Sequence, residues 1–177
     1  MKISLKNLPG PMLITTLVLI LSEILTTTVM PIIGMDGYRL SFNILIVLYI
    51  CFKLETSIMS VLIFIIQYFH SFFTIEGWAM GTIAGIIVCM VISYLRDLIH
   101  LSSFWITVFI TQVFQMIWFL ILTLLIYVKM GDEGLIISKL GRFLPESIFL
   151  SIISPFAFKL LDFIWKSKER EALNGSS

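Results

Sequence analysis

The stretch that decides the fold is Leu40 to Phe73, LSFNILIVLYICFKLETSIMSVLIFIIQYFHSFF. It holds two apolar runs, Leu40 to Phe52 and Thr56 to Phe73, and only Lys53 and Glu55 interrupt the pair as charges. The first run is 13 residues long. As a helix it would reach about 20 Å, against a bilayer hydrocarbon core of about 30 Å. The pair therefore reads either as two short, tilted helices or as a re-entrant hairpin, with two helices preferred. Parity hangs on the choice. Two helices bring the chain to six spans and leave both ends on one side, whereas a single kinked span would make five.

Outward from this stretch the apolar runs lengthen. A first span runs from Pro11 to Ile33, behind a Pro-Gly-Pro turn suited to a helix start near the headgroups, and closes at Pro31 and Gly34. Trp78 to Leu95 is a fourth span, Leu101 to Val128 a long fifth that must tilt or begin in the interface, and Ser147 to Trp165 a sixth. Hydrophobic residues make up 59% of the chain and charged ones 13%, with a mean hydropathy of +1.05. Soluble domains carry about 45–50% and about 25%. The expected fold class is thus an all-α, polytopic membrane bundle of six transmembrane helices with short second and third spans. Residues 1–10 form an N-terminal segment, 11–165 the membrane domain and 166–177 a basic tail, of which 174–177 has the composition of a cloning scar.

Lys2, Lys6, Lys53, Arg96, Lys166, Lys168 and Arg170 fall on one face of this topology and Arg39, Lys129, Lys139 and Arg142 on the other. The excess predicts that both termini lie in the cytoplasm. Lys2 and Lys6 precede an apolar stretch as in a signal peptide, but no small-x-small cleavage site follows, so the segment is expected to be retained. A formal charge of +1 and the lack of a long basic stretch with interleaved aromatics leave no footprint for nucleic acid. Partners should be proteins or membrane lipids.

Cys51 and Cys89 lie in apolar runs and read as small hydrophobes. His70 and His100 fall on opposite sides of the membrane and cannot share a metal. No His-Glu-x-x-His motif, Gly-x-Ser-x-Gly elbow or Gly-rich phosphate loop occurs. Neither an enzyme nor a bound cofactor is expected. The longest loop, Lys129 to Glu146, carries an amphipathic stretch with Leu135, Ile136, Leu140 and Phe143 available to one face. It reads as an interfacial connector, with a substrate lid as the alternative.

Gly77, Gly81 and Gly85, continued by Cys89 and Ser93, put a small residue at every fourth position of the fourth span. Helices in lipid associate through close van der Waals contact, and such a stripe supplies the groove. It serves packing within the chain's own bundle or an interface with another protein. Glu23, in the middle of the first span, needs a partner in the bilayer, and Thr16 and Thr27 share its helical face and could bond a protonated carboxyl. Gln67 on the third span, with Thr111, Gln112 and Gln115 on the fifth, should turn inward and bond across helices. Lys159 and Asp162 are spaced to pair locally near the end of the last span.

The segment GRFLPESIFLSIISPFAFKLLDFIWKSKER resembles the last span of the MreD family of bacterial rod shape-determining proteins. Phe143 and Pro145 match an aromatic-Pro pair before the final span, Pro155 a proline within it, and a basic tail follows. YRLSFNILIVLYICFKLETSIM is similar to the family's second span and short inner turn, and FFTIEGWAMGTIAG to the outer turn before the fourth. Where the family often carries a Gly and an acidic residue at the end of the third span, Gln67 is the nearest polar counterpart here. The resemblance, over about residues 11–170, implies a non-catalytic scaffold of the cell-elongation complex. Such a scaffold would bind MreC and, directly or through it, MreB and the glycosyltransferase and transpeptidase of peptidoglycan synthesis. The alternative is a substrate-capture subunit of an energy-coupling-factor vitamin transporter, also a six-helix protein of this length, although the first span lacks the Ala-x-x-x-Ala spacing with which such subunits dock.

Overall fold

The structure is a computed structural model and describes residues 8–32, 34, 40–54, 58–74, 77–96, 103–130 and 133–174, without the side chains of 30, 130, 133–138 and 166–174. Lys2, Lys6, Arg39, Glu55 and His100 lie outside the described residues, as do the side chains of Leu135, Ile136, Lys166, Lys168 and Arg170. The chain is an all-α membrane helix bundle, with six helices among the described residues: α1 Pro9–Ile32, α2 Phe42–Lys53, α3 Met59–Ser71, α4 Trp78–Leu95, α5 Phe104–Met130 and α6 Glu133–Asn174. Four contain segments long and apolar enough to cross a bilayer, namely Pro9–Val29, Trp78–Leu95, Phe104–Lys129 and Lys139–Trp165. Their outer faces carry large apolar side chains, Leu13, Leu17, Leu21 and Leu25 on α1 and Trp105, Phe109, Leu120 and Leu124 on α5 among them. Polar groups such as Glu23, Asn43, Gln67 and Gln115 are buried. Lipid favours this apolar-out arrangement, since polar side chains there must find partners inside the bundle.

The two short helices occupy the middle. α2 has 12 residues and α3 has 13, and every residue of α2 from Asn43 to Cys51 is buried. It touches all five other helices. A helix this short would leave its ends within the hydrocarbon, and enclosure by the long helices removes that exposure. α2 and α3 run antiparallel, since Asn43 near the start of α2 bonds Gln67 near the end of α3. Gln67 lies against Gly81, near the start of α4, while Arg96 just past the end of α4 bonds the carbonyls of Cys51 and Leu54 at the end of α2. The short helices therefore traverse most of the length of α4, and a hairpin that turns back halfway does not describe them.

Trp165 donates its indole N–H to the Thr15 hydroxyl at 3.1 Å, which sets the end of the last apolar span beside the start of α1. Both ends of the membrane domain thus lie at one end of the bundle, here termed the Arg96 end. The opposite end, where α1 finishes and α4 begins, is the His70 end.

Residues 129–146 differ from the expected loop. α6 begins at Glu133 and runs unbroken to Asn174, so the amphipathic stretch is the first part of a helix packed beside α5 and not a separate interfacial connector. Phe143 stacks on Phe119 of α5, centroids 4.1 Å apart. The helix also passes through Pro145 and Pro155 and does not stop at Trp165. Pro155 has no N–H to give to the Ser151 carbonyl one turn back, and the Ser154 hydroxyl donates to that carbonyl at 2.8 Å instead. A neighbouring hydroxyl of this kind is what makes proline tolerable in a membrane helix.

Candidate functional site

Four of the helices meet in a polar layer toward the His70 end. Glu23 Oε1 on α1 lies 2.9 Å from His70 Nδ1 on α3, with the glutamate fully buried and the histidine 9% exposed. One turn earlier on α3, Gln67 Oε1 accepts from Asn43 Nδ2 of α2 at 3.2 Å. Gln67 rests against the bare backbone of Gly81 on α4. The layer therefore runs α1 to α3 to α2, with α4 closing over it where it has no side chain.

Thr16 and Thr27 do not serve the Glu23 carboxyl. Thr16 donates to the Met12 carbonyl at 2.9 Å, and Thr27 donates to the backbone carbonyls of Glu23 and Ile24 at 2.8 and 3.0 Å. A threonine hydroxyl in a helix reaches the carbonyl one turn back without leaving its rotamer, and in lipid that local bond wins. His70 is a partner that sequence reasoning misses, because it lies 47 residues from Glu23 on a different helix. A lone carboxyl in α1 and a histidine near the end of α3 were the available signal.

A second polar seam joins α5 to α6. Gln112 Nε2 donates to Ser147 Oγ at 3.0 Å, Ser151 Oγ donates to Gln112 Oε1 at 2.7 Å, and Gln115 Nε2 donates to Ser151 Oγ at 3.1 Å. Gln112 and Gln115 bond across helices, as expected of them, and their partners are on α6. Ser147 and Ser151, one helical turn apart, are the partners the sequence reading missed.

At the Arg96 end, Tyr49 donates its hydroxyl to Asp162 Oδ1 at 2.9 Å, and Lys53 Nζ lies 3.7 Å from Asp162 Oδ2. Asp162 thus links α6 to α2, where the expected local pair with Lys159 would have stayed within one helix; Lys159 itself is exposed. Arg96 Nη2 donates to the carbonyls of Cys51 and Leu54 at 2.8 and 2.9 Å. These carbonyls lie at the C-terminus of α2, where intrahelical partners run out and the helix dipole favours a cation.

The small-residue stripe divides. Gly81, Gly85 and Cys89 are buried, and a Cβ on Gly85 would meet Ile63 Cγ2 at 2.7 Å and Trp118 Cη2 at 3.0 Å. That part is contact within the bundle, with α3 and α5. Gly77 is exposed and precedes the helix at φ +78° with open space about it, so it serves the turn into α4. Ser93 is exposed as well. Cys51 and Cys89 are buried free thiols, and no group of three potential metal ligands occurs among the described residues.

No family model, no curated protein and no solved structure matches this chain.

Proposed function

We propose that this chain is a scaffold of the bacterial cell-elongation complex, an inner-membrane protein of the MreD kind with both termini in the cytoplasm and no chemistry of its own. It would bind MreC and tie the MreB filament to the glycosyltransferase and transpeptidase that build peptidoglycan. The observation that best supports this reading is how the polar side chains between the helices are used. Glu23, Asn43, Gln67, Gln112, Gln115 and Asp162 each bond a residue of another helix, so they lock helix positions. A scaffold needs a rigid, shaped apolar exterior against which a partner's membrane segment can lie, and such internal locks provide it. The likeness of residues 141–170 to the family's last span suggests the identity of the partners. Purification of the chain from native membranes, with its companions identified by mass spectrometry, tests the proposal. MreC and wall-synthesis enzymes are expected, and the ATPases of a vitamin transporter in their place would refute it.

One observation favours the capture-subunit alternative: the Glu23, Asn43, Gln67 and His70 layer gathers polar groups at the His70 end, which faces outward in the proposed orientation. High-affinity vitamin uptake by cells expressing this chain with an energising module would decide for it.

A further inference from the structure

At the Arg96 end, on the flank of the bundle between α3 and α4, lies a cleft of about 560 Å³, within the range of roughly 300–1,000 Å³ usual for small-ligand sites. Its lining is ordered along the helix axes. Ser60, in the first turn of α3, and Ser93 and Arg96, at the end of α4, stand at the bundle end; Ile63 lies one turn deeper on α3 and Ile86 two turns deeper on α4. Met90, also on the wall, is 68% exposed, so the cleft opens sideways onto the belt of apolar side chains that faces lipid. Polarity thus falls from hydroxyls and a guanidinium at one end to isoleucine within the span. That gradient matches a lipid lying parallel to the helices.

Arg96 brings a guanidinium to the cleft wall. The guanidinium is a permanent cation, and its bonds to the Cys51 and Leu54 carbonyls hold it in place at the cleft wall. Basic pockets between membrane helices near the headgroup level are suited to anionic lipid heads. We propose that this cleft binds an anionic phospholipid, its phosphate beside Arg96, Ser60 and Ser93 and one acyl chain along Ile63 and Ile86. The inference is independent of the scaffold reading.

Native mass spectrometry of the full chain in detergent, titrated with phosphatidylglycerol or phosphatidylcholine of matched acyl chains, tests it. Wild type should retain phosphatidylglycerol about fivefold better, the advantage expected of one basic residue near an anionic headgroup. Because Arg96→Gln also uncaps α2, the deciding variant is Ser93→Trp, which fills the mouth of the cleft from an exposed position and leaves Arg96 in place. It should keep the wild-type unfolding temperature and lose the preference. Equal retention of the two lipids by wild type, or an undiminished preference in a folded Ser93→Trp protein, overturns the proposal.

Discussion

At Gly85 a single hydrogen atom decides how closely three helices approach. A methyl there would press on Ile63 Cγ2 and on the Trp118 ring, and an indole packed in the core cannot swing aside as a flexible chain end would. Gly85→Leu should therefore destabilise the fold by about 1–3 kcal/mol, the usual cost of overpacking a filled core, and lower the folded yield in detergent. Leu120→Ile, on a side chain that is 66% exposed, should leave yield unchanged and serves as the control. Gly81→Leu should behave like Gly85→Leu, because Gln67 stands against it and is held there by Asn43. Glu23 calls for a different kind of substitution. Glu23→Gln retains a group able to bond His70, whereas His70→Leu removes a cross-helix partner from a buried carboxyl. The leucine variant should unfold earlier, with a loss of about 1–2 kcal/mol by the scale of strong interhelical bonds in membranes, and the Gln variant should stay near wild type. Equal thermal unfolding of both variants would show that the α1–α3 contact does not rest on this pair.

Elements carry the next level of the argument, and α2 is the clearest case. Its length, its enclosure and its dependence on a foreign cap are one fact: a 12-residue helix too short for the bilayer must end among other helices, and its last carbonyls must be met from outside. Arg96→Ala should remove both charge-assisted bonds and cost about 3 kcal/mol or more, read as a lower unfolding temperature; Arg96→Lys, with a point charge in place of a fork, should recover only part of it. The short helices were legible in the sequence, because Lys53 and Glu55 punctuate two apolar runs, the first of them only 13 residues long. What encloses them was not. Rotation of each helix about its axis is set by packing with all its neighbours, which is why Ser147, Ser151 and His70 could not be matched to their partners from spacing. The stretch before Pro145 misled for a local reason. Gly131, Gly134 and Pro145 are ordinary helix breakers, yet α6 forms through Gly134 and Pro145 with α5 alongside, and tertiary contact overrides propensity there.

For the whole molecule, topology follows from the pairing of ends. The Trp165–Thr15 bond places the start of α1 and the end of the last apolar span together, as an even number of crossings requires, and the proposed orientation has that end facing the cytoplasm. Reporter fusions at Lys2 and after Arg170 should both read as cytoplasmic, and a split result would contradict the six-pass arrangement. The functional prediction rests on how the polar interior is employed. If the chain acts by holding a partner's membrane segment, then what it requires of Glu23 is a hydrogen bond to α3 that keeps the bundle in shape, and not a proton that comes and goes. Cells lacking the protein should lose rod shape and become round. Expression of Glu23→Gln should restore rods as fully as wild type, whereas His70→Leu should restore them only to the extent that the protein still accumulates in the membrane. Should the Gln variant fold, reach the membrane at wild-type level and leave the cells round, the carboxyl would have a charge-dependent task that a rigid scaffold does not need, and the polar layer at the His70 end would have to be treated as a working site.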